Sequence, residues 1–88
     1  MAGIRRLILD VVIPSTMPSS ELAVKLAKLG GVDGVDIITQ EVEHRVDKIK
    51  VTIEGDDINF ESVKVVLDKL GASLQGVDRI SCGKRLVN

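Results

Sequence analysis

Aliphatic and polar residues alternate along two stretches of the chain, and this period of two is typical of a strand with one buried face. The first stretch runs from Ile4 to Ile13, IRRLILDVVI, and is closed by Pro14; the second runs from Lys48 to Glu54. The alternation predicts an inner face made of Leu7, Leu9, Val11, Ile13, Ile49, Val51 and Ile53. It predicts an outer face made of Arg6, Ile8, Asp10, Val12, Lys48, Lys50, Thr52 and Glu54.

Two other stretches carry apolar residues at helical intervals. The first follows the turn-forming segment 14–20, PSTMPSS, which places Pro18 in the first helical turn and Thr16 or Met17 near the cap. Gly30-Gly31 is expected to end this helix. Its apolar positions are Leu22, Leu26 and Leu29.

The second helical stretch begins after Asn59, a residue type that caps helix N-termini with its side chain. Gly71 is expected to end it. Its apolar positions are Val63, Val66, Leu67 and Leu70.

A repeated segment marks the junction from each helix to the next strand. Residues 28–36 and 69–78 both begin with Lys-Leu-Gly and end with Gly-Val-Asp, which is the pattern of a glycine-capped helix end followed by a strand. The strands that follow are predicted over residues 35–45 and 74–81. The remaining predicted features are tight turns at Val46-Asp47 and Gly55-Asp56-Asp57 and a short tail over 83–88.

The predicted element order is therefore βαββαβ, which is two βαβ halves. Right-handed crossovers place both helices on one face of a four-stranded antiparallel sheet with the order 4-1-3-2. This α+β arrangement is the ferredoxin-like split βαβ. A length of 88 residues is typical of a single domain, so we expect residues 1–88 to form one.

Charge and composition narrow the classes of function. The net charge is −1 and Phe60 is the only aromatic residue, so the basic footprint and the stacking platforms of nucleic-acid-binding proteins are missing. Cys82, the only cysteine, excludes an intrachain disulfide and is expected to pack as a small apolar residue. With no apolar signal stretch and no long apolar run, we expect a cytoplasmic protein with neither nucleic-acid nor membrane partners.

The outer sheet face predicts self-association. A chain of this length buries only about 60 to 65% of its unfolded surface, and two helices on one face leave the other face open. Ile8 and Val12 would then be exposed on a central strand, which favours cover by a second copy. We predict a homo-oligomer whose contact face includes Ile8, Val12, Lys50 and Thr52.

Four segments resemble the small archaeal proteins grouped as "domain of unknown function 211": IRRLILDVVIP, VDGVDI, IKVTIEG and LGASLQGVDRISCGK. The resemblance covers essentially the whole chain. It implies a ferredoxin-like fold, an archaeal source and assembly into homo-oligomers, with rings as one form, and it implies no activity. Members often carry His-Ser where this chain has Gln75-Gly76, which weakens any site built on that pair. The resemblance also implies acidic residues at Asp10, Glu41, Glu43 and Asp78, and all four are acidic here.

Carboxylates form the first candidate site. Hard cations such as Ca²⁺ and Mg²⁺ take oxygen ligands from several carboxylates, and a subunit contact could gather Glu41, Glu43, Asp47 and Asp78. The alternative is that these residues, like Asp56-Asp57, form a solvated rim or serve only as turn residues.

Asp10 is the second candidate, because a carboxylate in an apolar central strand has to be paired or hydrated. Arg6 on the same face, or Lys50 or Arg79 on a neighbouring strand, could pair with it. An ion pair across the sheet or the subunit contact is favoured over a ligand-binding or proton-transfer role.

The sequence offers too little for an enzyme. Asp10 and His44 are the only residues that suggest catalysis, and we assign neither as catalytic. The favoured hypothesis is a non-enzymatic homo-oligomeric module with a regulatory role or a response to a small ligand. The alternative is an assembly that binds Ca²⁺ or Mg²⁺ through acidic residues near subunit interfaces.

Overall fold

Four strands and two helices make up the part of the chain that the structure describes, residues 3–87 of a computed structural model. The elements are β1 (Ile4–Pro14), α1 (Ser19–Ala27), β2 (Val32–Glu43), β3 (Val46–Ile58), α2 (Phe60–Lys69) and β4 (Ser73–Cys82). The predicted element order and α+β class are confirmed.

The strands form one antiparallel sheet in the order β2-β3-β1-β4. This is the predicted order 4-1-3-2 counted from the opposite edge. Both helices pack against the same core as the inner sheet face, so the arrangement is compatible with the predicted ferredoxin-like fold.

The core lies between the helices and the inner faces of β1 and β3. All seven residues that alternation assigned to the inner face are at most 1% exposed. The helices add four fully enclosed residues, Leu22, Leu26, Val63 and Leu67. The spacing of apolar residues, every two positions in the strands and every three to four in the helices, thus locates the core correctly. The reason is that burial of aliphatic surface stabilises a small fold.

Helix α2 begins as predicted, because the Asn59 side chain accepts a hydrogen bond from the backbone N–H of Ser62 at 3.1 Å. Gly71, at φ 74°, takes the left-handed conformation that ends many helices.

Helix α1 differs from the prediction at both ends. Pro18 occupies the cap position instead of Thr16 or Met17, and its carbonyl oxygen accepts the first backbone hydrogen bond, from Glu21. The helix ends at Ala27, before the glycine pair, and Gly31 at φ 83° then redirects the chain.

Strand β3 continues where the sequence predicted a turn. Gly55 pairs with Val32 and stays in the strand, which runs on to Ile58. The absence of a side chain at Gly55 lets its backbone lie against Gly31, and the N–H of Asp56 donates to the carbonyl oxygen of Gly31 at 3.1 Å. Strand β2 consequently begins earlier than the predicted residue 35.

The turn between β2 and β3 also lies elsewhere than predicted. Val46-Asp47 is paired with β1 and belongs to β3, and the turn is at His44-Arg45. Arg45 adopts a left-handed φ of 75°, and its carbonyl oxygen accepts a hydrogen bond from the N–H of Ser15 at 2.9 Å. This contact ties the turn to the end of β1.

The prediction that Cys82 packs as an apolar residue is wrong, because the residue is exposed at the end of an outer strand. The tail that follows is held by Arg5, which donates to the carbonyl oxygens of Gly83 at 3.2 Å and Lys84 at 3.0 Å. Asn88, the last residue of the predicted tail, lies outside the described residues.

Four β-bulges interrupt the outer strands. On β4, Asp78 and Gln75 have no partner opposite them on β1, since the register passes from Arg79 to Val77 and from Gly76 to Leu74. On β2, the extra residues are Asp33 and Gln40. A bulge redirects the side chains around it, so these positions depart from simple alternation.

Candidate functional site

The outer face of the sheet, which the helices do not cover, collects most of the predicted site residues. The antiparallel register places Arg6 opposite Glu54, Ile8 opposite Thr52, Asp10 opposite Lys50 and Val12 opposite Lys48. Ile8, Val12, Lys50 and Thr52, which the sequence assigned to a contact face, are therefore neighbours. All four are half-buried within one chain.

A three-residue ionic network crosses the middle of this face. The ammonium group of Lys50, on β3, contacts the Asp78 carboxylate directly, and its Nζ lies 3.6 Å from Oδ1 of Asp10. The three residues come from β3, β1 and β4, which are adjacent in the sheet. The bulge at Asp78 is what brings a residue of the outer strand into this network.

The network shifts two pKa values away from neutrality. The hydrogen bond from Lys50 lowers the pKa of Asp78, and the neighbouring Asp10 side chain adds to the effect. The hydrogen bond to Asp78 raises the pKa of Lys50, an effect that burial opposes and the negative charge of Asp10 supports. Both groups are therefore ionised at pH 7, whereas a general acid or base works best with a pKa near the working pH.

Arg6 and Arg79, which the sequence grouped with Asp10, lie outside this network. Arg6 Nε donates to Oε2 of Glu54 at 2.9 Å, towards the other end of the face. Within the described residues, Arg79 forms no ion pair with Asp10. Lys50, the remaining candidate from the sequence, is the residue that Asp10 faces.

The four predicted metal-binding carboxylates are divided between separate places. Glu41 and Glu43 both flank Lys48 on the outer face, at 3.9 Å and 3.6 Å from its Nζ. Asp78 belongs to the Lys50 network. Asp47 lies opposite the inward-facing Ile13, so it is on the helix-covered side of the sheet.

One chain does not gather these carboxylates into a cation site. Between residues 3 and 87, no group of three or more His, Cys, Asp or Glu side chains is placed to hold a metal ion. One oxygen of this set is nevertheless unusual: Oδ1 of Asp47 is enclosed and, within the same range, has no hydrogen-bond partner. An enclosed oxygen without a partner is costly.

Sequence reasoning assigned neither of two glutamines to a site. Gln40 and Gln75 line a concave region of the outer face together with Asp10, Val12, Lys48 and Ile49. The signal that could have found Gln75 is the spacing of Leu74 and Val77, which both pair with inward-facing residues of β1 although they are three positions apart. Such spacing requires an extra residue between them.

None of the helices within residues 3–87 is long and apolar enough to cross a membrane.

Comparison with known proteins places the chain in a family. The model of the family designated domain of unknown function 211, described as "Uncharacterized ArCR", matches residues 5–88. A protein of Methanocaldococcus jannaschii that is named only as uncharacterized is 33% identical over 87 residues, which cover 99% of this chain and 90% of the relative. The chain therefore belongs to this archaeal family.

Proposed function

We propose that this family member is a non-enzymatic cytoplasmic module that self-associates through the outer face of its sheet and whose ferredoxin-like fold serves as the scaffold. The observation that carries the proposal is the apolar surface on that face. Ile8 and Val12 lie on the central strand β1, and Ile38, on β2 opposite Lys50, is 58% exposed. An apolar surface on a small domain is a typical contact site.

The charges around this surface support contact between identical chains. Lys50 lies between two carboxylates, and Arg6 and Lys48 each lie beside further acidic groups. The face thus carries both signs of charge at short spacing. A two-fold contact can pair acidic groups of one chain with basic groups of the other.

Sedimentation analysis of the full chain tests the proposal. At about 10 μM, an interface with a Kd of about 1 μM is mostly assembled, so we expect a species larger than the monomer. Ile38→Glu should shift the chain towards the monomer, because it places a charge in the contact. Val24→Glu is the matched control, since Val24 is similarly exposed, at 54%, but lies on helix α1. A wild-type monomer, or equal effects of both variants, would overturn the proposal.

A second candidate function is binding of Ca²⁺ or Mg²⁺ between subunits. The enclosed, unpartnered Oδ1 of Asp47 favours it, because hard cations take carboxylate oxygens as ligands. One chain holds Glu41, Glu43 and Asp78 apart, and Asp47 lies on the opposite, helix-covered side of the sheet. A second chain would therefore have to supply the remaining ligands of any site at Asp47.

Metal addition separates this candidate from plain self-association. If a cation binds, millimolar Ca²⁺ or Mg²⁺ should stabilise the folded state and so raise the melting temperature. At a concentration about one hundred times the Kd, the free energy of unfolding rises by about 2.7 kcal/mol. EDTA should reverse this gain. Asp47→Asn should abolish the rise in melting temperature on cation addition. Asp68→Asn, on the exposed side of α2, is the control and should show the same rise as the wild type. A melting temperature that neither cation changes would eliminate this candidate.

A further inference from the structure

A cleft on the outer face has the properties of a small-molecule site. It has a volume of about 300 Å³ and lies where all four strands contribute side chains. This is the lower end of the range for ligand pockets, so the cleft suits a small metabolite. Its lining residues are Asp10, Val12, Gln40, Lys48, Ile49 and Gln75.

Two bulges on opposite sides of the sheet bring glutamines to this one cleft. Gln40 is the extra residue of β2 between Thr39 and Glu41, and Gln75 is the extra residue of β4 between Leu74 and Gly76. Bulges are over-represented beside active and binding sites, where they redirect side chains. Each amide supplies both hydrogen-bond donors and an acceptor.

Between the glutamines, the central strands supply one group of each charge. The Asp10 carboxylate comes from β1 and the Lys48 ammonium from β3, where Lys48 lies opposite Val12. Both are available for a ligand. The Lys48 ammonium forms only long, exposed ion pairs with Glu43 at 3.6 Å and Glu41 at 3.9 Å, and such pairs contribute little to stability. The distance from Nζ of Lys50 to Oδ1 of Asp10 is 3.6 Å, which is too long for a good hydrogen bond.

We propose that this cleft binds a small α-amino acid as its zwitterion. The Asp10 carboxylate accepts from the ligand's ammonium group, the Lys48 ammonium donates to its carboxylate, and the two glutamine amides flank the backbone of the ligand. Val12 provides apolar surface for a short side chain. A ligand with only one of the two charges would leave either Asp10 or Lys48 without a counterpart, and a phosphorylated ligand would bring excess negative charge next to Asp10.

Calorimetric titration of the full chain with each of the twenty amino acids tests this inference. At least one small amino acid should bind with a Kd of about 1 mM or tighter. For alanine, the matched probes are ethylamine, which lacks the carboxylate, and propanoate, which lacks the amine. Both should bind at least about tenfold more weakly than the amino acid, because each loses a charge-assisted hydrogen bond.

Variants assign the binding to the cleft. Lys48→Gln and Gln75→Ala should each weaken binding, the first by about tenfold or more. Lys69→Gln removes a lysine from the helix side of the molecule and should leave binding unchanged. If circular dichroism shows that Lys48→Gln does not fold, Gln75→Ala carries the test, since Gln75 is exposed on an outer strand.

Three results would overturn the inference: no amino acid binds, the single-charge probes bind as tightly as the amino acid, or the cleft variants bind like the wild type. The cleft is formed within one chain. Because Val12 also belongs to the proposed contact face, the titrations are repeated with Ile38→Glu, the variant expected to leave that face uncovered. Sedimentation of the same samples distinguishes failure of the ligand inference from failure of the proposed self-association. An oligomer without amino-acid binding refutes the ligand inference alone, and a monomer that binds the amino acid refutes the proposed function alone.

Discussion

The close approach of Gly55 to Gly31 allows a sharp test of how β2 and β3 are held together. We expect Gly55→Ala to destabilise the protein strongly. A Cβ at position 55 would overlap the carbonyl oxygen of Gly31, and it would lie 2.9 Å from the carbonyl carbon of Gly31 and 3.0 Å from Cα of Val32. All of these are backbone atoms, so rotation of a side chain cannot relieve the overlap.

The magnitude follows from the contacts that must separate. Moving the backbone at position 55 away from Gly31 breaks the hydrogen bond from the N–H of Asp56 to the Gly31 carbonyl oxygen. A lost hydrogen bond is worth about 1 kcal/mol, and groups left unsatisfied cost about 1 to 3 kcal/mol more. The total of about 2 to 4 kcal/mol corresponds to a fall in melting temperature of about 10 to 25 °C in a domain of this size.

Gly34→Ala is the matched control. Gly34 also lies in this part of the β2–β3 pair, but a Cβ there meets nothing within 4 Å and its φ is not left-handed. The free energy of unfolding of Gly34→Ala should equal that of the wild type or exceed it by about 0.4 to 1 kcal/mol, because alanine restricts the unfolded chain. Thermal unfolding is compared at one protein concentration, since self-association also affects the midpoint. Equal midpoints for Gly55→Ala and wild type, or equal losses in both variants, would refute this reasoning.

Three further predictions concern the ionic network, the core and a helix cap. Because the pKa of Asp78 is lowered in the folded state, its ionised form stabilises the fold above about pH 4 and this contribution disappears as the pH falls through the folded-state pKa. Asp78→Asn should therefore flatten the acid side of a plot of unfolding midpoint against pH, and an unchanged slope would contradict the prediction. Leu67→Ala, at a core position that is 2% exposed, should cost about 2 to 5 kcal/mol in urea unfolding; a loss below about 1 kcal/mol would mean that the core is not packed as described. Asn59→Ala should cost about 1 kcal/mol because it removes the cap on Ser62, whereas Asn59→Asp should retain most of the stability.

The central strands could be predicted from the sequence because their two faces meet different surroundings. Leu7, Leu9 and Val11 meet helices, and the residues between them do not, so the period of two is strict. The prediction was wrong at Gly55, because Gly-Asp-Asp is a combination typical of turns. A glycine in a strand can also mark close approach of another backbone segment, and that segment is distant in sequence, so no local pattern reveals it.

The candidate site was harder to predict because it depends on the outer strands. Alternation put Asp10 and Lys50 on the same face, and Lys50 was one of three partners predicted for Asp10. Alternation did not place Gln40 and Gln75, since each occupies an extra position that shifts the following residues by one. The turn at Arg45 was missed for a related reason, because an arginine in a left-handed conformation carries none of the usual turn signals of Gly or Asn.

The bulges on β2 and β4 also bear on how the protein avoids uncontrolled polymerisation. Outer strands present unpaired N–H and C=O groups along their length, and β4 adds the half-exposed side chains of Val77 and Ile80. A straight edge of this kind is a template on which strands of other molecules can add without limit, as in amyloid fibres. Each extra residue interrupts that template and twists the edge. Removing Gln75 to straighten β4 would therefore leave an edge along which chains could stack into fibres.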